Sequence, residues 1–272
     1  MKFVKQSVKE IKQKGFDLDS ILKHIELCAR VTYKSEDNIT DTSYKKFVNN
    51  LIKSDHSRCL EMGTVHMRMS AFMYDTFLNK LLNCEMLNQI WIKAVEEPID
   101  GDDMLITTNY RYYLEITKKF PEYFRYFTNE DNDSYPKRYT IKFITDRGIV
   151  DEFRTHVTLS HLCESTRWCG YHKDKFGNEL TFIDFDDSFG EMEALCLTFQ
   201  YAEDEYMYNT KNDLKPQQAR RGLPLGIKAE LISCGFEDAW KNFVYRRSDK
   251  AAHPMAQELS NQIKELDWFK EL

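Results

Sequence analysis

The sequence predicts an α+β fold, a single domain over residues 1–272 with an antiparallel or mixed sheet flanked by helices. Three observations point there. Runs of helical periodicity are interrupted by isolated strand-like stretches, not by a regular strand–helix alternation. Neither GxGxxG nor GxxxxGK[ST] occurs, and 10 glycines and 6 prolines in 272 residues leave little room for a Gly-rich nucleotide loop. No linker, internal repeat or low-complexity tract divides the chain.

The elements follow in order. Asp17 is an N-cap candidate for a helix carrying Ile21, Leu22, Ile25, Cys28 and Ala29 at helical spacing. Phe47, Val48, Leu51 and Ile52 mark a second helix. Val65, Met67 and Met69 alternate as in a half-buried strand, and "YDTFLNKLLNC" reads as helix. A hairpin is expected around Pro98 and Gly101, then a helix that stops at Pro121. "NEDNDSYPK" is an acidic surface loop. A strand starts at Arg138 and a helix capped by Asp146 follows. The longest helix is expected over roughly Phe189 to Lys211, and a short one opens at Pro216 and is stopped by Pro224. "IKAELISC" reads as a strand, and two helices close the chain.

The net charge of −6 gives no bulk attraction for nucleic acid or anionic membrane. No apolar run reaches the roughly 18 residues of a membrane span, and the opening residues do not resemble a signal peptide. Seven cysteines without framework spacing suggest free thiols in a reducing, cytoplasmic setting. No partner beyond small molecules and further copies of the chain is expected.

The chemistry concentrates in "FRTHVTLSHLCESTRWCGYHKDKFGNEL", from Phe153 to Leu180. His156, His161, Cys163, Cys169 and His172 lack the spacing of a zinc site, so no metal is expected. No nucleophile motif surrounds Ser160, Ser165 or Cys163. Anion binding fits better. Arg167, the Arg220–Arg221 pair and the Arg246–Arg247 pair stand at element boundaries, and arginine's planar fork suits phosphate. Helix-end arginines also complement carbonyl dipoles, so the residues alone leave both readings open.

"THVTLSHLCESTRW" resembles the signature RHRxxSxNExSxRY of the flavin-dependent thymidylate synthases, through His156, Ser160, Ser165 and Arg167. "CARVTYKS", "LIKSDHSRCLEMGTVHMRM", "KDKFGNELTFI", "PQQARRGLP" and "WKNFVYRRSDKAAHP" resemble further family segments in the family's order. The resemblance implies a flavin-dependent thymidylate synthase-like fold. It implies conversion of dUMP to dTMP with FAD, NADPH and methylenetetrahydrofolate. It also implies a homotetramer with sites at subunit junctions. By the same resemblance Arg247 is the catalytic cation. Thr32, His56, Arg58, Glu61, His156, Asn242 and Arg247 bind the cofactor. Glu152, Glu164, Ser165, Thr166, Arg167, Arg220 and Arg247 bind the substrate. The chain departs from the signature at Thr155 and Val157, where the family has arginines, and at Leu162 and Cys163. Arg154 and Arg58 are candidate replacements for the missing cations. The alternatives are a methylase of another pyrimidine nucleotide such as UMP, and a nucleotide-binding homologue without catalysis.

Overall fold

A computed structural model describes residues 1–99, 101–184 and 192–271 of the chain. Two short strands, β1 (Lys2–Val4) and β2 (Ser7–Glu10), precede α1 (Leu18–Tyr33). Asp17 caps α1, its carboxylate accepting from the Ser20 amide at 3.0 Å, and Lys34 closes it in the left-handed region at φ 47°. Ile21, Ile25, Cys28 and Ala29 are fully buried, as the helical spacing requires. α2 (Ser43–Lys53) and a 3₁₀ segment, Ser57–Met62, lead into β3 (Thr64–Ser70). α3 (Ala71–Asn83) starts three residues before the expected stretch, because Ser70 accepts from the Met73 amide and caps it there.

The expected hairpin is β4 (Ile92–Ala94) against β5 (Asp103–Asn109). α4 (Tyr110–Lys119) gives way at Pro121 to a 3₁₀ segment, then to β6 (Phe127–Thr128). β7 (Arg138–Asp146), α5 (Arg147–Phe153), β8 (Ser160–Cys163) and β9 (Thr181–Ile183) follow. α6 is described over Met192–Lys211, and the expected start at Phe189 lies outside the described residues. α7 (Pro216–Ala219), β10 (Lys228–Phe236), α8 (Glu237–Arg247), α9 (Pro254–Lys264) and α10 (Asp267–Lys270) complete the order.

The result is an α+β fold with two antiparallel four-stranded sheets, ordered β4-β5-β3-β6 and β2-β7-β10-β8, and a parallel β1-β9 pair. β1, β2, β8 and β9 were not expected as strands. They are 3–4 residues long, too short to show a period.

β10 organises the site. Its side chains alternate between faces. Ala229 and Leu231 join the core under α5, α8 and α9, while Ile232 and Cys234 join the core that includes α1. Lys228 and Glu230 keep the parity of Ile232, so they lie on the α1 face. A Cβ at Gly235 would collide with the Leu159 side chain, so glycine lets the turn after α5 pack against β10.

Candidate active site

Two groups of expected site residues assemble at opposite ends of β8. The first surrounds Arg247, in the last turn of α8, where a cation complements the helix's free carbonyls. Its Nε donates to His156 Nε2 at 2.7 Å. Nη1 pairs with the Glu152 carboxylate, and Nη2 donates to the Glu152 carbonyl at 3.0 Å and to Thr155 Oγ1 at 3.3 Å. A guanidinium has five N–H donors, so one has no partner among the described residues. These residues, with Asn242, Arg246 and His253, line a cleft of about 650 Å³. A second hollow of about 540 Å³ shares Thr158, Asn242 and Arg246 with it, and Lys93 lines its wall, paired with Asp238 at 2.6 Å.

Hydrogen bonding sets the histidine states. Accepting from Arg247 requires a bare Nε2 on His156. Burial, then the Arg247 charge, pushes its pKa down to about 4, so the ring is neutral. His161 Nε2 lies 3.0 Å from the His156 carbonyl and must be the protonated nitrogen. Its Nδ1 then accepts from Ser233 Oγ at 2.8 Å. Burial lowers this ring's pKa to about 4 as well.

The second group is the turn after β8. The Ser165 amide donates to the Thr32 carbonyl at 3.0 Å, tying the turn to α1. Arg220 donates to Thr166 Oγ1 at 3.1 Å. Arg167 lies over the Trp168 ring, which meets Tyr33 edge-on, and Tyr33 lies 3.3 Å from His56 Nδ1. The Glu164 side chain is interior, accepting from Tyr171 Oη at 3.0 Å and from Lys228 Nζ at 2.9 Å.

Glu61 lies between the groups. It is buried, accepts from Ser160 Oγ at 2.6 Å and pairs with Arg111 at 2.7 Å. Arg58 is exposed. Arg154 caps the end of α5 and pairs with Asp151 at 3.3 Å, its side chain 55% exposed. Among the described residues no hydrogen bond or ion pair joins the Arg247 group to the Arg220 group, and no cluster of His, Cys, Asp or Glu could hold a metal. The seven cysteines are free thiols. No described helix is long and apolar enough to cross a membrane.

The family described as thymidylate synthase complementing protein matches residues 107–268. The chain belongs to this family. Its fold is similar to that of a UMP/dUMP methylase from Streptomyces cacaoi bound with 5-Br UMP. There the identity is 12% and the TM-score 0.46, over 99% of this chain and 92% of that one. It is also similar to a flavin dependent thymidylate synthase from Helicobacter pylori complexed with FAD and dUMP. That likeness has 12% identity and a TM-score of 0.39, over 96% of this chain and 92% of that one. No curated protein matches the sequence.

The thymidylate synthase complementing protein match spans Glu152 through Arg247, the ends of both groups, but not Thr32, His56, Arg58 or Glu61. Three site neighbours were not singled out from sequence. Arg111 reaches Glu61 from 50 residues away, and Arg147 donates to the Glu164 carbonyl at 3.1 Å. Lys228 meets Glu164 across 64 residues. None carries a local motif. The one signal for Lys228 was a charged pair, Lys228 and Glu230, inside an otherwise apolar strand.

Proposed function

We propose that the protein is a flavin-dependent thymidylate synthase acting as one 272-residue unit. It would methylate dUMP reductively to dTMP, taking carbon from methylenetetrahydrofolate and reducing equivalents from NADPH. The observation that carries this reading is Arg247. It is a fixed cation in a cleft, held on three sides beside a neutral His156, with one donor lacking a partner among the described residues. A preoriented cation of this kind stabilises negative charge that develops on a pyrimidine ring during reaction at C5. A carboxylate or imidazole nucleophile is not needed for that role.

The residues present fit FAD. The two adjoining hollows share a wall and offer Lys93, Asn242, Arg246 and His253 to an elongated anionic dinucleotide. At the Ser165 end, outside these hollows, the buried Thr32 Oγ1 has no hydrogen-bond partner among the described residues. FAD would supply the redox and carbon-relay chemistry when bound. The chain's own work is to orient and charge the pocket. Arg247 holds the pyrimidine and Glu152 fixes the arginine's plane. His156, Asn242, Thr32, His56, Arg58 and Glu61 serve the cofactor. Ser165, Thr166, Arg167 and Arg220 offer amides, a hydroxyl and two guanidinium forks to the nucleotide phosphate, and Glu164 sets the turn that presents them.

We also infer a cytoplasmic homotetramer whose sites combine the Arg247 group of one copy with the Arg220 group of another. Among the described residues no hydrogen bond or ion pair joins the two groups, and each carries part of the expected substrate complement. Mixing inactive Arg247→Ala and Arg220→Ala subunits should restore turnover if sites are completed between copies. No restoration in verified hybrids would place both groups in one subunit.

The activity test is direct. FAD, NADPH, methylenetetrahydrofolate and dUMP should yield dTMP, with UMP and dCMP compared as substrates. No turnover by folded, FAD-loaded protein overturns the reading. One observation favours a nucleotide-binding homologue without catalysis: Val157, in place of a family arginine, is 79% exposed on the cleft wall. That reading expects a colourless protein which takes up no FAD yet binds nucleotide, and the visible spectrum separates the two.

A further inference from the structure

Beneath the Ser165 turn lies a buried charge network of which the proposed function uses only Glu164. Glu230 on β10 pairs with Lys34 at 2.6 Å, Lys228 at 2.7 Å and Lys142 at 2.5 Å. Lys228 spans to Glu164 Oε2 at 2.9 Å. Glu164 and Glu230 expose only 1% and 7% of their side chains.

A buried ion network is a poor way to gain stability, since apolar residues of similar volume do as well or better. Its orientation is more informative. Every polar atom of Glu164 is engaged. Its amide donates to the Glu230 carbonyl at 2.8 Å, and its carbonyl accepts from Arg147 at 3.1 Å. Its carboxylate oxygens take Tyr171 at 3.0 Å and Lys228 at 2.9 Å. The next residue, Ser165, is tied to Thr32. Chain freedom therefore ends at Ser165, and Thr166 and Arg167 are the first side chains beyond the anchor.

We propose that Lys228 and Glu230 are positioning residues for the nucleotide, acting through Glu164 to set the height and direction of the Ser165–Arg167 turn. The inference rests on reading that turn as the nucleotide-binding segment. Lys228→Met removes the cation that faces Glu164. The buried carboxylate then turns towards water or takes up a proton, and the turn moves with it. Misplacement by about 1 Å is enough to cost about 100-fold in a positioned site.

The test uses the full-length, FAD-loaded protein, with dUMP titrated calorimetrically and turnover measured in parallel. Lys228→Met should weaken dUMP binding and raise KM by about tenfold or more, with most of the loss in KM and not in kcat. Lys228→Arg, which keeps the charge, should recover most of the affinity. Tyr171→Phe removes one bond to Glu164 without stranding a charge, and should weaken binding by about threefold. It decides the matter alone if Lys228→Met does not fold. Wild-type dUMP affinity in folded Lys228→Met, or in Tyr171→Phe where that variant stands alone, overturns the inference. A wild-type protein that binds no pyrimidine nucleotide overturns the functional reading, and this inference with it.

Discussion

Arg247 meets Glu152 at the rim of a cleft, with side chains 15% and 32% exposed. Lys228 meets Glu164 in the interior, with side chains 15% and 1% exposed. The chemistry of the two pairs is alike and the consequences differ. The two cations are equally covered and the carboxylates differ: water reaches Glu152, so a ligand can share or replace its pair at modest cost. In the interior neither charge can be left alone, so the pair holds backbone in place. A site that must exchange ligands uses the first kind, and the frame beneath it uses the second.

Four variants probe this contrast. Glu230→Leu should have the largest effect, since it strands Lys142 and leaves Lys34 only Glu36 and Lys228 only Glu164. We expect a loss of about 3–5 kcal/mol in urea unfolding. Its pH dependence carries a sign. Burial alone would raise the Glu230 pKa, but Lys228, Lys34 and Lys142 outweigh it and hold it below the usual 4.5. The stability it contributes is complete above that ordinary value and is lost as pH falls through the lower folded value. The Leu variant should lack that part of the acid limb. Arg247→Ala comes next. Turnover should fall about 100-fold, worth about 2.7 kcal/mol, with thermal unfolding little changed. Equal damage to stability at both pairs would break the contrast.

The contrast also explains what could be read from sequence. α1 was legible because Ile21, Ile25 and Cys28 repeat at helical spacing and Asp17 caps locally. Both inputs lie within one element. β8 was not legible. Of "SHLC", Ser160 and Leu162 face inward, and the inward polar residue is satisfied by Glu61, 99 residues away. Periodicity cannot see such a partner. The Arg247 group was reachable by resemblance because its residues lie in family segments. In the network under Glu164 only Lys228 and Glu230 are related by strand spacing; Lys34, Lys142 and Glu164 reach them through tertiary contacts that no spacing rule connects.

Two smaller effects sharpen the boundary between rim and frame. Ser160→Ala removes a charge-assisted bond to Glu61 but leaves Arg111 in place, so we expect a loss of about 1.5 kcal/mol by chemical denaturation. Thr155→Arg with Val157→Arg changes two exposed rim positions. Stability should fall by no more than about 1 kcal/mol, since the Thr155 bond to Arg247 is lost, and FAD should bind more tightly by fluorescence titration. A large stability loss there would move the turn after α5 from rim to frame.

β8 acts as a ruler. Its four residues separate the Arg247 end from the Ser165 end by about 10 Å of extended chain. Strand geometry has a period of two, so one inserted residue would turn Ser160 and Leu162 outward as well as lengthen the span. Insertions or deletions within residues 160–163 should therefore be selected against even where single exchanges are tolerated.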